Sequence, residues 1–232
     1  MKFIRCAIAA LIFAPAAGDA QDFNAGLEAA QKGDFATALQ EWKPLAEQGH
    51  ASAQRNLGLM FHRGDGVARD DAQAAKWYHL AAKQGHAVAQ FNLGWMYANG
   101  KSLPQDDVEA VRWYRLAANQ GHASAQFSLG AMYDIGQGVP QDYAEAVRWY
   151  RLAAEQGNAN AHFNLGTTYA NGTGVPQDYT TAHMWFNVAA ANGDADAAEQ
   201  RDTIANQMTP ADISAAQSRA RVCMESGYRD CD

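Results

Sequence analysis

The chain has 232 residues, of which 48% are apolar and 10% aromatic, enough for a sizeable core and too much for a disordered polymer. Its 18 basic and 25 acidic residues leave a net charge of −7, which argues against a nucleic acid held by counterion release and against adsorption to anionic lipid. Three cysteines, at 6, 223 and 231, are too few for a disulfide-stapled miniature scaffold.

Met1-Lys2-Phe3-Ile4-Arg5 carries two cations, Cys6 to Phe13 is an apolar run, and small residues follow from Ala14 to Ala20. This is the order of an export signal, with Gly18 and Ala20 placing a cut before Gln21. The run is too short to cross ~30 Å of hydrocarbon, so a membrane anchor is rejected. Residues 1–20 are expected to be removed, leaving a periplasmic or secreted chain whose remaining cysteines meet an oxidising compartment. Residues 21–48 then form a shortened helix pair, an N-terminal cap: Phe23-Asn24-Ala25-Gly26-Leu27, a turn at Gly33-Asp34, and a helix from Ala38 to Glu47.

From Gly49 the chain repeats. Glycines stand 36 residues apart at 49, 85, 121, 157 and 193. Leu-Gly recurs at Leu57-Gly58, Leu93-Gly94, Leu129-Gly130 and Leu165-Gly166, and Trp-aromatic at Trp77-Tyr78, Trp113-Tyr114, Trp149-Tyr150 and Trp185-Phe186. Four copies thus fill 49–192 without an insertion. Each copy predicts two helices. In the copy opened by Gly85, Ala89, Leu93, Met96 and Tyr97 mark one face of a helix from Ala87 to Asn99, which Gly100 stops. Asp106 with Glu109, Asp70 with Gln73 and Asp142 with Glu145 predict capping boxes at the second helices, whereas Asp178 meets Thr181 and leaves its box incomplete. Ala110, Tyr114 and Ala117 form the packed stripe of that second helix. Gly94 inside a helix costs about 1 kcal/mol against Ala, which makes sense if its bare backbone lets the partner helix come close. The Trp of each second helix is expected to fill the gap between units. Trp42 falls in register with the aromatic that follows each of these Trp residues.

Beyond Gly193 the stretch to Gln207 is helical but lacks Leu-Gly, and Thr209-Pro210 opens a last helix to about Val222. Residues 193–232 are therefore expected to cap the array and carry the Cys223 and Cys231 pair.

The pattern Ala-x-x-x-Leu-Gly-x-x-Tyr…Gly-x-Gly-Val-x-x-Asp…Ala-x-x-Trp-Tyr-x-x-Ala-Ala-x-x-Gly, fullest from Ala125 to Gly157, resembles the Sel-1-like repeat, a relative of the tetratricopeptide repeat. Ser102 departs from it in place of a loop Gly, Arg55 in place of Phe, and Thr168 in place of Met. The resemblance implies an all-α, right-handed α/α solenoid of helix-turn-helix repeats and a protein-binding role. One 36-residue helix pair cannot cover its own apolar stripe, so the copies must stack.

Chemistry is hard to find in the sequence. His50, His86 and His122 share one register, but equivalent positions in adjacent units lie about 8–10 Å apart and cannot share one ion. They are taken as turn or helix-start residues, and no metal or cofactor is expected. There is no Gly-x-Ser-x-Gly elbow, and glycine loops such as Gly136-Gln137-Gly138 and Gly172-Thr173-Gly174 lack the Gly-Lys-Ser/Thr ending of a phosphate cradle. The spacing of Cys223 and Cys231 resembles the pairs that staple helix ends in a cysteine-rich branch of the same family, implying a structural disulfide. That branch also brings the alternative of a cell-wall-directed or β-lactamase-like hydrolase, although the pair occurs here once rather than in every unit. The reading preferred is a non-catalytic scaffold for a protein or peptide.

If the first helices line the inner face, as the tetratricopeptide relation suggests, the groove presents Arg55, Leu59 and His62 from the first copy and Phe91 and Trp95 from the second. Phe127 and Asp134 follow from the third and Phe163 from the fourth. The places of Leu59 and His62 vary between copies while their surroundings repeat. Trp95 is the aromatic anchor expected of a binding hot spot.

Overall fold

Helices begin here where a side chain can accept the free N–H groups of the first turn. The computed structural model describes residues 22–231, so the expected export segment lies outside the described residues. Among these there are twelve helices and no strand. The first five pairs are α1 (Phe23–Gln31) and α2 (Phe35–Glu47), α3 (Ala51–Arg63) and α4 (Asp71–Lys83), α5 (Ala87–Ala98) and α6 (Asp107–Asn119), α7 (Ala123–Ile135) and α8 (Tyr143–Ala154), and α9 (Ala159–Asn171) and α10 (Tyr179–Ala191). The chain closes with α11 (Ala195–Ala205) and α12 (Pro210–Glu225). Consecutive helices pack on one another, giving a right-handed α/α solenoid.

The odd helices from α3 to α7 start at histidines. Nδ1 of His50, His86 and His122 accepts the N–H of Ala53, Ala89 and Ala125 at 3.2, 3.4 and 3.2 Å. Asn158 and Asp194 do the same for α9 and α11. An imidazole that accepts at Nδ1 is neutral, with its proton on Nε2. The recurring histidines are therefore helix caps.

The even helices start at Asp70, Asp106, Asp142 and Asp178, whose carboxylates accept N–H groups of the first turn. The boxes predicted there are only half formed. The N–H of each Asp donates instead to a carbonyl of the preceding helix, at Phe61, Tyr97, Tyr133 and Tyr169. Glu109 and Glu145, freed from that role, pair with Arg112 and Arg148. Asp178 is no weaker a cap than the others, because the Thr181 hydroxyl donates to it at 2.6 Å.

Within each pair the glycine of the odd helix meets an aromatic ring of the even helix. A Cβ on Gly58, Gly94, Gly130 or Gly166 would lie 2.6–2.8 Å from the ring of Tyr78, Tyr114, Tyr150 or Phe186. Gly26 meets Trp42 in the same way, so the shortened first pair keeps the same contact. Trp113, Trp149 and Trp185 pack against residues of the preceding pair, sealing one unit to the next.

Buried amides run through the same seams. Gln54, Gln90 and Gln126 donate to the carbonyls of Ala46, Ala82 and Ala118 at 3.0, 3.1 and 3.2 Å. Each accepts from Gln84, Gln120 or Gln156 of its own pair at 2.7 Å. In α9 the place is taken by His162, fully buried, with Nε2 3.0 Å from the Ala154 carbonyl and Nδ1 3.4 Å from the Asn192 amide. Burial pushes its pKa down.

The last pair is not simply another repeat. Lys76, Arg112 and Arg148 are exposed on α4, α6 and α8, but the equivalent Met184 of α10 is fully buried. Leu80 and Leu116 are likewise exposed where Val188 is buried. α12 lies on this apolar face through Ala216, Ala220 and Cys223, and Arg219 donates to the Thr181 hydroxyl at 3.1 Å. Beyond α12, Cys231 returns beside Cys223 with Cα atoms 4.4 Å apart. Tyr228, between them, packs on the His162 ring at 4.9 Å, and its hydroxyl donates to Asn192 at 3.0 Å.

Candidate functional site

Groove geometry follows from what the odd helices leave unpacked. All eight residues singled out from the sequence, Arg55, Leu59, His62, Phe91, Trp95, Phe127, Asp134 and Phe163, are half-buried. They do not converge on one place. Leu59, His62, Phe91 and Trp95 line a cleft of about 530 Å³ between α3 and α5, together with Arg63, Arg69, Tyr78, Asn92 and Met96. Arg55 lines an adjoining cleft of about 290 Å³ toward Leu27, Phe35 and Trp42, and Leu59 and Arg63 belong to both.

Trp95 is held in part by its own core contacts and in part by His62, whose ring meets it edge-on at 5.6 Å. His62 is fixed in turn, because its Nδ1 lies 2.8 Å from Asp71. The other oxygen of Asp71 accepts from Arg69 at 3.0 Å. Burial pushes the Asp71 carboxyl up, but the hydrogen bonds and charges of Arg69 and His62 outweigh it and hold it below the usual carboxylate range. Burial also raises the Tyr78 phenol beneath the cleft to about 12, so it stays protonated.

The remaining predicted residues serve packing as well as surface. Phe91, Phe127 and Phe163 lie 5.8, 5.7 and 5.6 Å from Tyr114, Tyr150 and Phe186 of their partner helices. Asp134 accepts from the Tyr150 hydroxyl at 3.2 Å.

Sequence reasoning missed Arg63 and Arg69. The signal was there: the other three copies carry Asn99, Ile135 and Asn171 at the first place and Gln105, Gln141 and Gln177 at the second. Another cleft, of about 570 Å³, lies on the even-helix side and is lined by Ala75, His79, Leu80, Tyr97, Ser102 and Leu103 among others. Among the described residues no group of three or more His, Cys, Asp or Glu side chains could hold a metal ion, and no helix is long and apolar enough to cross a membrane.

The Sel1 repeat family model matches residues 51–86, 87–122, 123–158 and 159–194. Among solved structures, a Sel1 repeat protein from Oxalobacter formigenes is 35% identical, with a TM-score of 0.75 over 79% of this chain and 75% of that one. A protective antigen present in uropathogenic Escherichia coli strains, displaying an SLR fold, is 33% identical with a TM-score of 0.77. That match covers 90% of this chain and 50% of the antigen. A sel1 repeat protein from Klebsiella pneumoniae, 22% identical with a TM-score of 0.51, shares the fold. No curated protein matches the sequence.

Proposed function

The chain belongs to the Sel1 repeat family, and we propose that it is an exported, non-catalytic scaffold that holds a segment of a partner protein in the groove of its odd helices. Sel1 repeat proteins generally act as non-catalytic scaffolds and mediate protein–protein interaction. The observation that carries the proposal is the cleft between α3 and α5, where Leu59 and Trp95 stand at positions that differ from copy to copy on an otherwise repeated frame. A half-buried Trp with a braced neighbour has little rotamer freedom left to lose on binding, which is what makes an efficient anchor.

Trp95→Glu, compared with the parent by far-UV circular dichroism and by capture of the partner, tests this reading. Retained helicity with lost capture supports it; a folded variant that still captures the partner refutes it. Export is supported by the order of residues 1–20, and N-terminal sequencing of protein recovered from the periplasm or medium should begin at Gln21. A disulfide between Cys223 and Cys231 is supported by their proximity, and by an exported location where thiols oxidise.

A further inference from the structure

The unit formed by α3 and α4 departs from the repeat to arginine three times, and the three side chains line the two adjoining clefts at this end of the groove, with Arg63 in both. Arg55 replaces the phenylalanine of the other copies (Phe91, Phe127, Phe163), Arg63 replaces Asn or Ile, and Arg69 replaces Gln. We propose that this end of the groove takes an acidic segment of a partner protein, its carboxylates meeting Arg55, Arg63 and Arg69 while an apolar side chain packs on Trp95. The proposal rests on the groove-binding reading above and adds the chemistry of the occupant.

The pairing of the arginines argues for it. Arg55 occupies an aromatic's slot, and its Nε is buried without a hydrogen-bond partner while one terminal nitrogen donates to Asn56 at 2.9 Å. Among the described residues no carboxylate forms an ion pair with Arg55 or Arg63. Arg69 shares the single carboxylate of Asp71 with His62, and Asp65, which lines the cleft beside Arg55 and Arg63, pairs with neither. The outer-face arginines Arg112 and Arg148 each have their glutamate. Arg55 is half-buried without a counter-ion, which is costly, and a phenylalanine would avoid that cost, whereas Arg63 and Arg69 are exposed. A carboxylate from outside would match the planar fork of a guanidinium and be strengthened most at the sheltered Arg55.

The net charge of −7 limits the size of the occupant. A long polyanion would be repelled by the rest of the molecule, whereas a short acidic segment sees mainly the local field. Asp134, two units along on α7, stands at the place His62 holds on α3, so a bound segment should place its carboxylates at α3 and keep them away from α7.

The test is selection of phage-displayed random dodecapeptides on the purified full chain, followed by binding of the best peptide in solution. Selected peptides should be enriched in Asp and Glu beside an apolar residue, and replacing those carboxylates with amides should weaken binding by about tenfold or more. Arg55→Phe should melt higher than the parent yet bind at least about tenfold more weakly. Arg55→Glu combined with Arg63→Glu should move the preference to lysine-bearing versions. Peptides that lose binding with Trp95→Glu but show no acidic preference overturn this proposal and leave the groove reading standing. Peptides indifferent to Trp95 and to the arginines, or a selection that yields none, overturn both. A phosphoserine version binding about tenfold more tightly than the glutamate version would assign the site to phosphate and overturn the carboxylate assignment.

Discussion

Gly130→Ala sets helix propensity directly against packing. Alanine in place of glycine within a helix gains about 1 kcal/mol. Its Cβ, however, would lie 2.8 Å from Cδ1 and Cε1 of Tyr150 and 3.2 Å from the carbonyl oxygen of Ala146. The ring cannot easily retreat: Tyr150 is 1% exposed, packs on Phe127, and donates its hydroxyl to Asp134. The obstacle is an anchored ring plus backbone, so the overpacking cost should sit near the top of the usual range, at about 3 kcal/mol. The net loss is about 2 kcal/mol, and at ~2–4 °C per kcal/mol for a chain of this size the melting temperature should fall by roughly 4–8 °C. Thermal unfolding followed by circular dichroism measures it. A variant that melts higher than the parent would show that propensity wins and that this glycine does not set the distance between α7 and α8.

Ser102 has φ +55° at the loop place that the other copies give to Gly66, Gly138 and Gly174; Ser102→Gly should therefore stabilise by about 1 kcal/mol, and an unchanged melting temperature would count against strain at this loop. Burial holds the pKa values of His79, His86, His122, His162 and His183 below the ordinary value of 6.5. The folded state then prefers them neutral, so their stability is full above about pH 7.5 and is lost as pH falls below 6.5, where the unfolded chain binds more protons. His162→Gln, which copies the amide of the other units, should shrink this loss in urea titrations at pH 7.5 and 5.5, whereas equal stability of the parent at both values would contradict the assignment. Reducing Cys223 and Cys231, or replacing both with Ala, should cost about 2.5 kcal/mol in the loop-closure picture. An isolated protein whose mass does not rise by two hydrogens on reduction would mean the thiols are free.

Much of this architecture can be read from the sequence because it is periodic. The Leu-Gly and Trp-aromatic pairs recur every 36 residues, and each turns out to be one end of a contact made in every unit. Contacts that vary or reach across units were harder to read. Gln54, Gln90 and Gln126 look like solvated helix residues, since nothing local says that an amide donates to a carbonyl eight residues back. The seating of α12 was foreshadowed only by Met184 standing where Arg148 and Arg112 precede it. The reciprocal capping boxes failed because the N–H of each capping Asp had a better acceptor on the preceding helix. Arg55 was visible as a departure from Phe, but whether a carboxylate answers it is a question of space.

The central claim is that a partner segment lies in the groove between α3 and α5. A photoreactive phenylalanine analogue placed at Leu59 tests it most directly, with the same analogue at the exposed Leu80 of the even-helix side as the comparison. Crosslinking in the native cells, followed by peptide mapping, should join position 59 to one segment of one protein and leave position 80 without that product. Crosslinks to that partner from position 80 alone, or equally from both, would contradict the account.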